Sequence, residues 1–287
     1  MKILIDGNTK IVGVIGNPIE HSLSPVMHNA AFKELNLNYV YVPFKVEGEK
    51  LKNIIVASDS LNIKGLNVTI PHKINILKYL DNLDPIAKLI GAVNTIDFKD
   101  IKGYNTDGIG ALKAIKEVTS IKNKKIVIAG CGGASRAISF QFSNSNIDEI
   151  VIINRNLKKA ESLKNDILKS GLKDNVKSNS LENLKDELKT ADIFIDTTPV
   201  GMYPNNNDKP IATSDMFHED LIVNDIVYNP LETSLIKEAK KANVAAINGI
   251  KMLVYQGAES FKIWTSYDGP IDVMKKAILK NMWLYGF

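Results

Sequence analysis

One lysine and one aspartate are the best candidates for moving a proton at a substrate oxygen. Lys73 ends the segment NVTIPHK at 67–73, which predicts a strand end followed by a helix from residue 71 to 80. In that helix's first turn the dipole would lower the lysine pKa, while a nearby carboxylate would raise it. Asp107, in the turn NTDG at 105–108, is the natural carboxylate. Such a pair suits proton exchange with a carbinol or ketone during hydride transfer.

Simpler interpretations of these residues remain open. A surface lysine at 73 and a helix-capping aspartate at 107 also fit, and the residues alone slightly favour that interpretation. Histidines are weaker candidates for the acid. We expect His28, in an apolar-patterned helix, and His218, in a charged loop, to be structural or exposed, whereas His72 is ambiguous.

Small polar side chains near the predicted strand ends could bind a polyol. Asn67 and Thr69 stand two apart on a strand and therefore point the same way. Ser22 and Ser24 are hydroxyls in the loop after the first strand, although Ser24 before Pro25 also fits a helix N-cap.

The long C-terminal helix predicted over 249–266 offers one more polar side chain. Gly249, Met252 and Gln256 fall at i, i+3 and i+7, so they share one helix face. A glutamine on an otherwise apolar face needs a partner, and a polyol would serve. Core packing explains Met252 equally well.

A glycine-rich turn predicts a dinucleotide site. The apolar segment 125–129 runs into Gly130, Cys131, Gly132, Gly133 and Ala134, and then into a predicted helix. Glycines there permit a tight turn and let the backbone approach a pyrophosphate at the helix N-terminus. A glycine-rich turn that only packs a helix on a sheet is the alternative.

The next predicted strand indicates which dinucleotide. It ends at Asn154, Arg155 and Asn156, where an acid would bind the ribose hydroxyls of NAD. No acid stands there, and Lys159 follows, so a 2′-phosphate and hence NADP is favoured. The chain contains two arginines, Arg136 and Arg155, and we expect both in this site.

Bulk properties fit a globular enzyme of small molecules. The chain has 287 residues, 45% hydrophobic, with a modest net charge of +4 and scattered lysines, which argues against nucleic-acid binding. A lone cysteine, the absence of an apolar span and an N-terminal apolar run too short for a secretion signal predict a cytoplasmic protein with no membrane contact. We expect no metal site, and either a monomer or a homodimer.

Strands alternating with helices predict an α/β fold with two domains and largely parallel sheets. The predicted strands are 11–15, 39–44, 63–69, 92–98, 101–104, 125–129, 150–153, 193–196, 221–226 and 244–247. The predicted helices are 24–35, 48–57, 71–80, 85–90, 109–118, 134–142, 157–170, 233–242, 249–266 and 271–283. We expect a domain of 1–107 plus 250–287, to which the C-terminal helices return, and a Rossmann-like domain of 108–249.

These motifs together resemble the shikimate dehydrogenase family, in its short, monofunctional, NADP-dependent form. The resemblance runs end to end, through GNP at 16–18, SLSP at 22–25, NVTIPHK at 67–73, GAVNT at 91–95, NTDG at 105–108, GCGGA at 130–134, NR at 154–155, TPVGM at 198–202, DIVYNP at 225–230 and MLVYQ at 252–256. It implies reversible reduction of 3-dehydroshikimate to shikimate with NADPH, in chorismate and aromatic amino-acid biosynthesis.

The resemblance also implies roles for individual residues. It makes Lys73 the catalytic acid/base, paired with Asp107. The substrate contacts it implies are Ser22, Ser24, Asn67, Thr69, Lys73, Asn94, Asp107, Tyr228 and Gln256. The cofactor contacts it implies are Gly130, Cys131, Gly132, Gly133, Ala134, Asn154, Arg155, Asn156 and Lys159, with Ile226, Gly249 and Met252 near the nicotinamide.

The sequence departs from the family pattern at two positions. Asp196 stands where an asparagine is more usual, and Ser266 where a glycine is common after the helix that contains Trp264. Two other functions stay open on the residues: a quinate/shikimate dehydrogenase that uses NAD, and a catalytically silent ligand sensor on the same scaffold. Arg155 argues against the first, and the presence of both Lys73 and Asp107 against the second.

Overall fold

The computed structural model describes residues 5–285, with side chains described through residue 282; residues 1–4, part of the segment examined for a secretion signal, lie outside it. The chain forms two compact units. Unit 1 comprises Met1–Thr106 and Val254–Phe287, and unit 2 comprises Asp107–Leu253. Among the described residues, no helix combines the length and apolar character needed to cross a bilayer.

Unit 1 contains a mixed six-stranded sheet. Its strands are β1 (Lys10–Gly16), β2 (Tyr39–Lys45), β3 (Gly65–Val68), β4 (Asn82–Leu83), β5 (Thr95–Asp97) and β6 (Lys102–Tyr104). The order is β2-β1-β3-β5-β6-β4. Strand β1 is parallel to β2 and β3, whereas β5 is antiparallel to both of its neighbours. The short β4 was not predicted.

Helices cover the apolar sheet faces of unit 1. They are α1 (Ser24–Glu34), α2 (Leu51–Ser60), α3 (Pro85–Ile90), most of α9 (Gly249–Thr265) and α10 (Ile271–Tyr285). Helix α10 packs against α1, so the C-terminal helices return to the N-terminal unit as predicted. The core between sheet and helices is built on Ile15, Leu66 and Ile96, which are all fully buried.

The helix predicted from residue 71 is wrong. Only a short 3-10 helix, Asn75–Tyr79, forms there, and Lys73 lies in the turn before it. The Lys73 carbonyl accepts a hydrogen bond of 2.8 Å from Val93 N instead of one from within a helix, and buried His72 holds the turn through its Nε2 and Val46 O, 2.7 Å apart. Because no helix starts at Pro71, the dipole argument for lowering the lysine pKa does not apply.

Unit 2 has the strand order of a Rossmann fold. Its strands are β7 (Lys125–Ala129), β8 (Glu149–Asn154), β9 (Val176–Ser180), β10 (Ile193–Asp196), β11 (Ile222–Asp225) and β12 (Ala245–Ile247). All pair in parallel in the order β12-β11-β10-β7-β8-β9. When the strands are numbered within the unit, their order is 6-5-4-1-2-3. The strand order reverses between β7 and β10, and dinucleotides bind at that point of such a fold. Strand β9 was not predicted.

Four helices join these strands and cover both sheet faces. They are α4 (Asp107–Lys116), α5 (Gly133–Ser143), α6 (Leu157–Ser170) and α8 (Ser234–Lys241), with a one-turn α7 (Leu184–Leu188). Strand β7 is apolar from Ile126 to Ala129 because both of its faces are covered, as in other parallel sheets. Phe194 and Val223 from the neighbouring strands complete the core.

Candidate functional site

The glycine-rich turn of unit 2 leaves β7 in a conformation that requires glycine at its first position. Gly130 has φ +106°, and a Cβ there would lie 2.4 Å from Thr197 Oγ1. Ser135 Oγ donates to the Gly130 carbonyl at 2.6 Å, which ties the turn to α5. At Gly132 and Gly133, by contrast, a Cβ would meet nothing within 4 Å, so the backbone at the start of α5 is open to a ligand.

A cavity of about 610 Å³ opens at the carboxyl ends of β7, β8 and β10. Its lining includes seven of the predicted cofactor residues: Gly130, Cys131, Gly132, Asn154, Arg155, Asn156 and Lys159. Residues that the sequence reasoning did not assign to the site also line it: Ala129, Ile153, Leu181, Thr197, Thr198, Pro199, Val200, Lys209 and Ile211. The cavity lies where the strand order reverses, the position expected for a dinucleotide.

Three cations border this cavity. Arg155 is exposed and makes no ion pair within residues 5–285. The Lys159 ammonium lies close enough to Cys131 to oppose the effect of burial, which raises the pKa of that thiol to about 11. Lys209 reaches the cavity from the loop after β10. With no acid at the end of β8, this rim suits an additional phosphate.

Arg136 does not belong to this rim, contrary to prediction. It stands on α5, where its Nη1 donates to Asp166 of α6 at 2.6 Å and its guanidinium lies 5.1 Å from the Phe140 ring centre. The guanidinium therefore packs two helices together. Arg136 stands one turn into α5, a helix that covers the sheet, and this position explains why its predicted place in the cofactor site was wrong.

The residues predicted near the nicotinamide lie at the ends of β11 and β12. A Cβ on Gly249 would lie 2.1 Å from Ile226 O, so only glycine lets α9 begin this close to β11. Met252 is buried on the same helix, and burial raises the pKa of Tyr228. Ile226, Gly249 and Met252 are not in the lining of the cavity, and neither are Gly133 and Ala134, which begin α5.

Two buried carboxyl groups stand side by side at the ends of β10 and β11. Asp196 is directly opposite Asp225 in the parallel register, and the exposures are 1% and 0%. Each carboxyl group accepts a hydrogen bond from the backbone N–H two residues further along the chain. Asp196 accepts from Thr198 N at 2.8 Å, and Asp225 accepts from Val227 N at 2.9 Å. Burial raises the pKa of Asp225 to about 6, and burial together with the Asp225 charge raises that of Asp196 to about 7.

A connected polar cluster occupies the interior of unit 1. Asn67 Nδ2 donates to Asn94 O at 3.1 Å and to Thr95 Oγ1 and Ser260 Oγ at 3.0 Å. Asn67 Oδ1 accepts from the Tyr41 phenol at 2.7 Å. Thr95, Ser260 and Tyr41 were not predicted, and only the alternation of polar with apolar residues along these elements could have indicated them.

Asn94 extends the cluster toward α9. Its Nδ2 donates to Thr106 Oγ1 at 2.9 Å and to Gln256 Oε1 at 3.4 Å, and its Oδ1 accepts from Thr106 N at 2.8 Å. The glutamine side chain thus finds its partner in Asn94, a residue that was also predicted to bind substrate. The structure brings Asn67, Asn94 and Gln256 into one network.

The remaining predicted residues of unit 1 surround the ends of β1 and β3. Thr69 directly follows β3, and its amide donates to Ile15 O at 3.0 Å. Ser24 is not an N-cap: it is the first residue of α1, and no side chain caps this helix. Instead, Ser22 Oγ accepts from Ser24 N at 3.3 Å.

The proposed proton-transfer residues lie in different units. Lys73 is half-buried in unit 1, whereas Asp107 is the first residue of unit 2 and of α4, 6% exposed. Within residues 5–285 there is no group of three or more His, Cys, Asp or Glu placed to hold a metal. The residues present offer hydroxyl and amide contacts in unit 1 and a phosphate-binding crevice in unit 2.

Comparison with known proteins gives consistent matches along the chain. Residues 14–96 match the shikimate dehydrogenase substrate binding domain, residues 112–249 match shikimate / quinate 5-dehydrogenase, and residues 249–279 match the shikimate 5′-dehydrogenase C-terminal domain. A relative named shikimate dehydrogenase (NADP(+)), from Methanobrevibacter smithii, is 62% identical over 279 residues, covering 97% of this chain and 99% of the other.

Solved structures agree with these matches. A crystal structure of shikimate dehydrogenase in complex with NADP+ has a TM-score of 0.93 and 51% identity, covering 97% of both chains. Shikimate 5-dehydrogenase from Thermus thermophilus, in complex with NADP(H) and shikimate, has a TM-score of 0.82 and 30% identity, covering 95% of this chain and 99% of the other.

Proposed function

This chain belongs to the shikimate dehydrogenase family, and on that premise we propose that Lys73 and Asp107 perform the proton transfer of its reaction. The protein is an NADP-dependent oxidoreductase that reversibly reduces 3-dehydroshikimate to shikimate. This reaction belongs to chorismate and aromatic amino-acid biosynthesis. NADPH, when bound, supplies the hydride.

The rim of the cavity in unit 2 is the observation that supports NADP as the cofactor. Arg155, which makes no ion pair with any described residue, supplies positive charge together with Lys159 and Lys209. No carboxylate follows β8 to bind a ribose 2′-hydroxyl. The open backbone at Gly132 and Gly133 fits a pyrophosphate at the N-terminus of α5. We therefore assign the 2′-phosphate to Arg155 and Lys209, and the pyrophosphate to the glycine turn.

The substrate contacts proposed for unit 1 are hydroxyls and amides: Ser22, Ser24, Asn67, Thr69, Asn94 and Gln256. Such groups recognise a small molecule rich in hydroxyls and oxygens. Asp107 and Tyr228 are the proposed contributions of unit 2. The proposed substrate domain is accordingly unit 1, and the proposed NADP domain is unit 2.

Lys73 is the proposed acid that gives a proton to the carbonyl oxygen during reduction and recovers it in the reverse direction. Asp107 is its proposed partner in that proton transfer, and the ammonium gives up its proton as the alkoxide develops.

The direct test follows absorbance of the reduced nicotinamide with purified protein. We expect turnover with shikimate and NADP, and much lower rates with quinate or with NAD. No turnover with shikimate under any cofactor would overturn the proposal, and equal rates for quinate with NAD would establish the broader dehydrogenase instead.

We further propose that the enzyme works in the cytoplasm as a monomer or a homodimer. A lone cysteine fits a reducing compartment. Light scattering coupled to size exclusion decides the assembly, and cell fractionation decides the compartment.

A further inference from the structure

Thr95 lies between the side chains of two proposed substrate contacts. On β5 it is directly opposite Asn67 of β3 in the antiparallel register, so the two side chains extend from the same face of the sheet. Thr95 Oγ1 accepts from Asn67 Nδ2 at 3.0 Å and donates to Asn94 Oδ1 at 3.0 Å. Thr95 is fully buried. One hydroxyl therefore bridges both carboxamides inside unit 1.

The orientation of each carboxamide is fixed by a backbone group that can act in only one way. Asn67 Nδ2 lies 3.1 Å from the Asn94 carbonyl, which can only accept. Asn94 Oδ1 lies 2.8 Å from Thr106 N, which can only donate. The Thr95 hydroxyl matches both orientations, because it meets a nitrogen on one side and an oxygen on the other. If the Asn67 carboxamide turned over, Thr95 would meet two oxygens with a single hydrogen.

Ser260 holds the Thr95 hydroxyl from α9. Its Oγ lies 2.7 Å from Thr95 Oγ1, and it also accepts from Asn67 Nδ2 at 3.0 Å. When Ser260 donates across the 2.7 Å contact, the Thr95 hydrogen goes to Asn94 Oδ1. Longer alternatives for the Ser260 hydrogen are the Gln256 carbonyl at 3.1 Å and Thr106 Oγ1 at 3.3 Å. Groups from β3, from the residue before β5 and from α9 therefore converge on Thr95.

We propose that Thr95 is a positioning residue, whose hydroxyl holds the Asn67 and Asn94 carboxamides in the orientation that binds substrate. Asn67 Oδ1 accepts from the Tyr41 phenol at 2.7 Å, and its second lone pair is the acceptor for a substrate hydroxyl. Without the Thr95 hydroxyl each carboxamide loses a partner and turns more easily, so substrate binding has to order it again. The inference rests on the proposed function, since it takes Asn67 and Asn94 as substrate contacts.

Thr95→Val and Thr95→Ser together test the proposal. Valine keeps the shape and removes the hydroxyl, whereas serine keeps the hydroxyl and removes a methyl group. We expect Thr95→Val to raise the KM for shikimate about tenfold, and to leave the KM for NADP and the kcat within about threefold. Thr95→Ser should keep the KM for shikimate within about twofold of wild type. A merely structural role would reduce the amount of active enzyme and leave the KM for shikimate intact in both variants. That result, or an equal rise of this KM in both variants, would overturn the proposal.

A further variant keeps the test decisive where Thr95→Val does not fold. Thr95→Cys differs from Thr95→Ser in one atom, and a thiol donates and accepts hydrogen bonds only weakly. The KM for shikimate should be about three- to tenfold higher in Thr95→Cys than in Thr95→Ser. Equal values in these two variants would contradict the role of the hydroxyl.

Thr265→Val is the matched control. Thr265 is the last residue of α9, and its hydroxyl donates to Phe261 O of the same helix at 2.7 Å. Loss of this hydroxyl should leave the KM for shikimate within about twofold of wild type. A rise as large as that in Thr95→Val would show that the effect is not specific to Thr95, and would overturn the proposal.

Turnover of shikimate by the wild-type enzyme separates the two claims. Its absence would refute the proposed function. Normal turnover in wild type with an unchanged KM for shikimate in Thr95→Val would refute only the positioning role.

Discussion

At the scale of single residues, Lys73 poses the sharpest question. It lies in a turn, half-buried, with its carbonyl bound by Val93 N. We expect Lys73→Ala to lower kcat by about 10²–10⁴-fold, the usual contribution of a general acid, with a smaller change in the KM for shikimate. Steady-state kinetics in both directions measure this. Lys78→Ala, an exposed lysine of the following 3-10 helix, is the control and should keep normal rates.

The role of Asp107 has its own test. If the carboxylate takes part in the proton transfer with Lys73, Asp107→Asn should lower kcat by about 10²–10⁴-fold, with a smaller change in the KM for shikimate. Steady-state kinetics with shikimate and NADP measure this. A normal kcat in Asp107→Asn would separate the two residues and remove Asp107 from the proton transfer.

Arg155 is where the choice between NADP and NAD is decided. Its guanidinium borders the cavity without an ion pair in the described chain. A hydrogen bond to a charged group contributes about 1.5–3 kcal/mol, so Arg155→Gln should raise the KM for NADPH by about 10–100-fold. The KM for NADH should stay almost constant. Lys158→Gln, an exposed neighbour that is not in the lining of the cavity, is the control.

Lys209 adds a smaller contribution to the same choice. Its exposed ammonium is a single charge without the planar fork of a guanidinium, so we expect Lys209→Gln to raise the KM for NADPH only about two- to fivefold. The effect should weaken with added salt, because the contact is between exposed charges. Equal losses with NADH and NADPH would place this lysine on the pyrophosphate instead.

At the scale of secondary structure, helix ends explain one departure from the family pattern. Ser266 directly follows α9 with φ +65°, a left-handed conformation that favours glycine. Helix α6 ends on Gly171 at φ +70°, and α8 is followed by Asn243 at φ +57°. Serine is thus the residue least suited to this conformation among the three.

We therefore expect Ser266→Gly to stabilise the protein. The strain relieved exceeds the extra chain entropy of glycine by about 0.5–1 kcal/mol. Urea unfolding followed by circular dichroism measures the change in free energy of unfolding. The reciprocal variant Gly171→Ser, where a Cβ has open space, should destabilise by a similar amount. A Ser266→Gly variant no more stable than wild type would show that α9 gains something from the hydroxyl.

How well the sequence predicts an element depends on where its hydrogen bonds go. The bounds of β7 and α6 are correct as predicted, because continuous apolar residues and a strong amphipathic pattern specify them locally. The helix from residue 71 failed because a carbonyl in it pairs with Val93, far along the chain. Strand β9, of polar sequence VKSNS, exists because β8 offers it an edge.

The same distinction applies to the candidate site. Glycine turns and the residues after strands are visible in sequence, and they identified Gly130 and Arg155. Lys209 was missed because it reaches the cavity from an irregular loop, and its position depends on the reversal of strand order between β7 and β10. Tyr41 was missed because an aromatic residue on a strand is typical of a core, and the partner of its hydroxyl, Asn67, comes from a different strand.

At the scale of the whole chain, each unit has a hydrophobic core of its own. The carboxyl pair of Asp196 and Asp225 is buried within unit 2. The pKa values of both rise on folding, to about 7 and about 6, so the folded protein holds these protons more tightly than the unfolded chain. Their contribution to stability is full below about pH 4 and is lost as pH rises through about 6 to 7.

We accordingly expect Asp196→Asn to stabilise the protein at about pH 8 but not at about pH 4. The amide keeps an oxygen for Thr198 N and removes the charge that Asp225 and burial disfavour. At roughly 1.4 kcal/mol per pKa unit, the gain at the higher pH is about 2–4 kcal/mol. Urea unfolding at both pH values measures it, with Asp220→Asn, an exposed aspartate of unit 2, as control. If the wild-type free energy of unfolding did not fall between these two pH values relative to Asp196→Asn, the pair would be ionised without cost, and a cation or bound water would have to compensate it.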